Sequence, residues 1–302
     1  MKRILVPLDG SSRSEAAIPV ALLIAKATGA ELLFFHVVEA SPPDEIHGER
    51  HLVDAEAARA YLSATVSSLP PEIKASFHVH EERSQDAAKS IGEHAEELRS
   101  DLVVLATHGS HRIGRFLRGS VGQRALLLGG APVLTLPVHD GRFQATSVFG
   151  PWKSMVVTVD GRGEHQLPLA WLGELARSLD MAVELLLVVD TRSSLSGDRA
   201  TIARSMPGAT SWALEAAAIE GETWLGELAA SPELAGLRVS TGLLRGGPDK
   251  ALAKRLKGSD DELVVIGTHG RAGLDALWEG SMAAKMLARL EGPVLLVSAE
   301  RK

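Results

Sequence analysis

The chain has 302 residues, enough for two domains of ordinary size, and 45% of them are hydrophobic, enough for packed cores. A formal net charge of −6 disfavours a broad nucleic-acid surface, and the lack of cysteine excludes disulfides, thiolate metal ligands and a cysteine nucleophile. No apolar run is long enough to span a membrane and the first residues do not resemble a secretory signal, so we expect a cytoplasmic protein without membrane contact.

Short apolar runs alternate with helical patterns along the first half. Ser12 and Glu15 fit a capping box before the first helix, and Pro19 predicts a kink or a late start in it. The run "LVVLA" within 102–106 is continuously apolar, which is typical of a parallel strand buried on both faces. The predicted strands are 3–8, 31–38, 74–81, 102–106 and 132–137, and the predicted helices are 13–28, 51–68, 85–99 and 120–128.

The second half repeats the first. "RILVPLDGS" at 3–11 matches "SMVVTVDGR" at 154–162, and "DLVVLATHG" at 101–109 matches "ELVVIGTHG" at 262–270. The offset grows from 151 to 161 between the two matches, so the second repeat has a longer middle segment. We therefore predict tandem α/β domains at 1–138 and 154–302, joined by a linker at 139–153. Each domain should be doubly wound, with a five-stranded parallel sheet flanked by helices.

A ligand of such a sheet binds beyond the carboxyl ends of its strands, where the winding reverses. Asp9 follows the first strand, and a Thr-His-Gly turn ending at Gly109 follows the fourth. Gly109 permits close approach of the backbone, and Gly119-Ser120 opens a helix whose free N–H groups favour phosphate. A carboxylate repels phosphate, so Asp9 suits hydroxyl or amino groups of a nucleoside.

The spacing Gly-x2-Gly-x9-Gly-Ser after the fourth strand, with Asp after the first, resembles the universal stress protein family over nearly the whole chain, twice. The resemblance implies an adenine nucleotide alpha hydrolase-like fold that binds ATP, with or without Mg²⁺. It implies that the Asp and a second-strand Val contact the nucleoside and that the glycines and Ser hold the phosphates. The corresponding residues are Asp9, Val37, Ala106, Gly109, Gly119 and Ser120 in the first half and Asp160, Val188, Gly267, Gly270, Gly280 and Ser281 in the second.

The two halves depart from this pattern in different ways. Ala106 replaces the first glycine, which is tolerable if φ there is negative, whereas the second half keeps every glycine. Residues 110–118 contain three arginines and no acid, but 271–279 contain two acids and one arginine. The backbone therefore favours a site in the second half and the charge favours one in the first, so binding in either half or in both stays open. The arginines can also form an ordinary solvated face.

Three classes of function remain. The first is a nucleotide-binding stress-response or signalling module, with no catalysis beyond slow ATP hydrolysis. The second is an interaction module that binds no nucleotide; Asp9 and Asp160 would then only cap the turns that follow them. The third, an enzyme on a similar fold, lacks the motifs it would need. His78 and His80 should share one strand face, and no set of metal ligands is expected. The resemblance further implies an intramolecular pseudo-dimer of the repeats, paired through last strands 132–137 and 293–298, and leaves a homodimer open.

Overall fold

A computed structural model gives the fold and describes residues 1–40, 45–46, 49–50, 52, 54–108, 130–138, 151–159, 165–259, 261–269, 289–290 and 292–301. The first-half strands are β1 (Arg3–Pro7), β2 (Glu31–Glu39), β3 (Glu45–Ile46), β4 (Glu49–Arg50), β5 (Ala75–Ser84), β6 (Leu102–His108) and β7 (Val133–Val138). The first-half helices are α1 (Ser12–Glu15), α2 (Ala17–Thr28), α3 (Ala55–Ser67) and α4 (Ala87–Glu97). The second-half strands are β8 (Ser154–Val159), β9 (His165–Gln166), β10 (Ala182–Val189), β11 (Val239–Arg245), β12 (Glu262–His269) and β13 (Val294–Arg301). The second-half helices are α5 (Leu169–Ser178), α6 (Gly197–Ser205), α7 (Pro207–Ala229), α8 (Pro248–Arg255) and a 3-10 turn at Pro232–Leu234.

Both halves have the same strand order. The first runs β5-β2-β1-β6-β7 and the second β11-β10-β8-β12-β13, with parallel pairing inside each half. One apolar cluster joins residues of α2, α3, α5 and α7 to one face of the sheet, and another joins residues of α4 and α8 to the opposite face. The predicted doubly wound architecture is therefore confirmed, because helices cover both faces of strands that are apolar on both sides.

The two sheets join through their last strands. β7 pairs antiparallel with β13, placing Thr135 opposite Val294 and Val133 opposite Leu296. The buried Thr135 hydroxyl also donates a hydrogen bond of 3.0 Å to the Val294 carbonyl. A single mixed sheet therefore crosses both halves, which agrees with the last-strand pairing expected from the sequence.

The first predicted helix needs a correction. It begins as α1, whose N-cap is Ser11 and not Ser12: the Ser11 hydroxyl accepts from the Ser14 N–H at 3.2 Å. Glu15 is therefore not the partner in a capping box. The helix breaks at Ala16 and restarts as α2, because Pro19 has no N–H to donate to the carbonyl four residues earlier.

Other boundaries follow side-chain caps. Asp54 accepts a hydrogen bond of 2.7 Å from the Ala57 N–H, so the helix predicted from 51 begins at Ala55. Asp86 accepts similarly from Lys89 at 3.1 Å, which starts α4. The predicted helix 120–128 lies outside the described residues.

The longer middle segment of the second half consists of two helices. α7 has 23 residues against 13 in α3, and α6 precedes it. Across the part of the chain that the structure describes, no helix combines the length and apolar content needed to cross a membrane.

Candidate functional site

The first and fourth strands of each half lie side by side. β1 pairs with β6 in parallel, aligning Ile4 with Leu102, and β8 pairs with β12 in the same way. The chain winds in opposite directions from this pair, so their carboxyl ends open on one crevice. Ala106 lies near that end of β6 and Gly267 near that end of β12.

Ala106 is compatible with its position. Among the described non-glycine residues, only Arg99 and Asp180 have positive φ. The extra methyl group of Ala106 therefore adds no backbone strain, and the departure from glycine does not by itself close the crevice of the first half.

Asp9 organises a tight turn directly after β1. Its Oδ1 accepts hydrogen bonds from the Ser11 N–H at 2.9 Å and from the Ser11 hydroxyl at 2.6 Å. The Asp9 N–H donates to the Ser14 hydroxyl at 3.3 Å. Asp9 therefore caps the turn that follows it, as the alternative without nucleotide expects, and these bonds hold its carboxylate directly after β1.

Gly10 is required by this turn. Its φ is +88°, and a Cβ on it would lie 2.7 Å from Cγ of Leu52. Left-handed φ and close approach together exclude any side chain unless Leu52 moves.

His36 contacts the backbone directly before the same turn, and the sequence analysis did not identify it as a site residue. The buried His36 ring places Nδ1 2.8 Å from the carbonyl oxygen of Leu8, the residue before Asp9, while the Leu8 N–H donates to Phe35 at 2.8 Å. The contact joins residues 28 apart in sequence, so no local pattern could reveal it. Val37, the predicted nucleoside contact, follows directly and is buried on β2.

Two carboxylates, those of Asp9 and Glu15, lie near Tyr61 at the turn after β1. The Tyr61 hydroxyl donates to Glu15 at 2.9 Å. Burial of the ring, this hydrogen bond and the charges of Glu15 and Asp9 raise the pKa of Tyr61 well above its ordinary value. Carboxylates at this strand end suit hydrogen-bond donors of a ligand and disfavour phosphate beside them.

Three imidazoles gather beside Val37. His80 on β5 lies opposite Val37 on β2. The His78 ring is parallel to that of Phe35, with ring centroids 5.8 Å apart. The centroid of the His94 ring lies 5.4 Å from that of His78 and 4.8 Å from that of His80. The prediction that His78 and His80 share a strand face agrees with these contacts. Within the described ranges no three His, Cys, Asp or Glu side chains are placed to hold a metal ion.

The second half fixes its strand end differently. Val188 lies half-buried on β10, two residues before Asp190. Asp190 accepts from the Ser194 hydroxyl at 3.0 Å and pairs with Arg199 of α6 at 2.8 Å. The sequence aligns Asp190 with Glu39 but gives no sign of Arg199, because that partner comes from the segment without a counterpart in the first half.

The structure thus brings Asp9, Val37 and Ala106 to the strand ends of the first half, and Val188 and Gly267 to those of the second. The other predicted site residues lie outside the described residues: Gly109, Gly119, Ser120, Asp160, Gly270, Gly280 and Ser281.

A sequence model of the universal stress protein family matches residues 1–137 and 151–298. The chain belongs to the universal stress protein family. Universal stress protein MJ0531 of Methanocaldococcus jannaschii is 32% identical over 142 residues, covering 45% of this chain and 81% of that protein. One half of this universal stress protein therefore corresponds to most of that relative.

Solved structures resemble the whole of this universal stress protein. One assigned to the same family, from Pseudomonas aeruginosa UCBPP-PA14, has a TM-score of 0.61 at 19% identity and covers 99% of this chain and 94% of that chain. A universal stress protein from Archaeoglobus fulgidus DSM 4304 has a TM-score of 0.56 at 16% identity, covering 98% and 96%. At these identities the likeness establishes the fold.

Proposed function

We propose that this universal stress protein binds an adenine nucleotide, ATP with or without Mg²⁺, and acts as a non-catalytic stress-response or signalling module. The observation that carries the proposal is the parallel pairing of first and fourth strands in each half. That pairing brings the Asp9 turn beside the end of β6, from which the glycine-rich loop continues, which suits a ligand with a donor-rich nucleoside and an anionic tail.

In the first half the proposed nucleoside contacts are Asp9 and Val37. Asp9 would accept from ligand hydroxyl groups, and His36 keeps the backbone before it in place. Gly109, Gly119 and Ser120 would hold the phosphates through main-chain N–H groups and a hydroxyl. The neighbouring carboxylates of Asp9 and Glu15 support this polarity, because phosphates are repelled by them.

In the second half the same roles fall to Asp160 and Val188 for the nucleoside and to Gly267, Gly270, Gly280 and Ser281 for the phosphates. The Asp190–Arg199 ion pair of 2.8 Å ties α6 to the strand end beside Val188. We therefore expect a nucleoside end more enclosed than that of the first half, and different affinities in the two halves.

We also infer that the halves are separate domains at 1–138 and 154–302, with 139–153 between them. The two segments matched by the family model support these boundaries. Continuity of the sheet through β7 and β13 supports an intramolecular pseudo-dimer of the two repeats.

The direct test is calorimetric titration with ATP together with thermal shift. Ligand at 100 times its Kd should add about 2.7 kcal/mol to the free energy of unfolding. Gly119→Val and Gly280→Val, made singly, should each remove binding from one half. Gly292→Val is the matched control, because a Cβ on Gly292 meets nothing within 4 Å.

The competing hypothesis is an interaction module without nucleotide. It predicts no thermal shift at millimolar ATP and no nucleotide retained through purification. That pair of results, with the protein folded by circular dichroism, would overturn the proposal. If neither Gly119→Val nor Gly280→Val changes the ATP affinity, the nucleotide does not bind at the proposed loops.

A further inference from the structure

The middle segment of the second half carries an unusual apolar surface. Five large hydrophobic side chains are exposed among the described residues, and four of them lie between 202 and 219: Ile202, Met206, Trp212 and Ile219. Trp212 is 76% exposed and Ile219 is 59% exposed. A cluster of this kind on one segment marks an interaction surface more often than isolated exposed residues do.

Trp212 and Ile219 lie on one face of α7, whereas Ile202 lies on α6 and Met206 directly precedes α7. The opposite face packs on the sheet through Ala218, Gly221 and Leu225, and a Cβ on Gly221 would lie 2.5 Å from a Leu187 methyl carbon. From 207 to 217 no residue of α7 is buried. The first half of this helix is therefore covered less than its second half, although Thr210, Leu214 and Ala216 are half-buried.

The outward face has the spacing of a helix–helix seam. Steps of three and four residues alternate along it, as at the contact positions of a coiled coil. Large Trp212 and Ile219 alternate with small residues. The seam comprises Ala209, Trp212, Ala216, Ile219, Thr223 and Gly226.

This seam is complementary to itself when two copies of α7 run antiparallel. Ala216 then lies at the crossing point, where its small side chain lets the helices approach, and Trp212 of each copy meets Ile219 of the other. Two-fold symmetry requires such reciprocity, since each contact must occur twice.

Charge favours the same arrangement. Glu215 is the only charged residue from 205 to 219, and Arg245 pairs with it at 3.0 Å. The two ends of α7 carry exposed side chains of opposite charge. Arg204 precedes its first residue, while Glu222 and Glu227 lie in its second half. Antiparallel packing brings the basic end of one copy toward the acidic end of the other, whereas parallel packing would place acid against acid.

We propose that two copies of this chain associate through α7, antiparallel about a two-fold axis near Ala216, with Trp212 of each copy packed beside Ile219 of the other. A stable interface takes about 800 Å² from each partner. A 23-residue helix is about 34 Å long, and exposed Ile202 and Met206 precede it in the chain, so the apolar surface extends beyond the seam itself.

The first experiment is sedimentation equilibrium of the full chain over a range of concentrations. We expect twice the chain mass of 32.0 kDa at high concentration. Trp212→Ser with Ile219→Ser should raise the dimer Kd at least about 30-fold, because central aromatic anchors dominate such interfaces. Phe77→Ser is the control: Phe77 is 38% exposed but lies on β5, so its loss should leave the dimer intact.

The second experiment uses the absence of native cysteine. Only a residue near the two-fold axis can form a disulfide with its own copy. Ala216→Cys should therefore give a covalent dimer under mild oxidation. Ser211→Cys, exposed on the same helix but off the seam, should not.

Two outcomes would overturn the proposal. One is a monomer at every concentration, which would leave the seam to a different protein or to a membrane. The other is a dimer that survives the double substitution and gives no Ala216→Cys cross-link. Neither outcome bears on nucleotide binding, which calorimetry measures separately.

Discussion

Replacing Gly10 by alanine tests the geometry of the turn that holds Asp9. Left-handed φ costs a residue with a side chain about 1–2 kcal/mol. The new Cβ would also lie 2.7 Å from Leu52 Cγ and 2.8 Å from its Cδ1, so Leu52 must shift. Overpacking of this kind costs about 1–3 kcal/mol. Gly10→Ala should therefore lower the free energy of unfolding by about 2–5 kcal/mol.

Leu52→Ala separates the two contributions. In that background only the φ strain remains, so Gly10→Ala should cost about 1–2 kcal/mol and the coupling between the sites should be about 1–3 kcal/mol. Gly29→Ala is the matched control, with φ +72° and nothing within 4 Å of a Cβ, and should cost the strain alone.

The assay is urea unfolding followed by circular dichroism, repeated for Gly10→Ala, Leu52→Ala and the double variant. Equal costs of Gly10→Ala in both backgrounds would show that Leu52 does not cover Gly10. A cost near zero would show that the turn does not have left-handed φ. Because Asp9 is adjacent, the nucleotide affinity of the first half should fall with the same substitution, provided that half binds.

Three further predictions concern stability. Asp180, with φ +52°, occupies the position that Gly29 has in the first half, so Asp180→Gly should add about 0.5–1 kcal/mol, measured as a higher urea midpoint. Thr135→Val removes the side-chain hydrogen bond that supplements the β7–β13 pairing and should cost about 1 kcal/mol; an unchanged midpoint would show that this bond contributes nothing. Burial and the neighbouring imidazoles lower the pKa of His78 from its ordinary 6.5. The unfolded chain therefore binds a proton at His78 more readily than the folded chain does. The free energy of unfolding should stay constant above pH 6.5 and decline slightly as the pH falls below it. His78→Gln should make the urea midpoint depend less on pH in this range.

The strands were predictable because a parallel strand buried on both faces is continuously apolar. "LVVLA" is such a run, and its length is that of a strand. β5 was predicted to end at 81 but continues to Ser84. Its last residues are polar and pair with β2 beyond a register shift near Val37, where backbone hydrogen bonds act without an apolar pattern.

Parts of the candidate site were predictable for a different reason. Asp9 stands out because Asp-Gly after a strand is a turn signal that occurs twice. His36 and Arg199 could not be found, since each acts through one contact with a residue far along the chain or in an inserted segment. The shift of the cap from Ser12 to Ser11 shows the remaining ambiguity: three serines lie close together, and Asp9 selects among them by binding Ser11.

Pairing of β7 with β13 within one polypeptide also has an evolutionary consequence. In a dimer of identical subunits every mutation appears on both sides of the axis, so neither side can specialise. Here the partners are encoded separately yet are always made together in equal number. Ala106 matches Gly267 and Glu39 matches Asp190, which is tethered to α6; a dimer of identical subunits could not retain these differences. In this universal stress protein, two unequal halves are therefore held together within one chain, and their pairing does not depend on protein concentration.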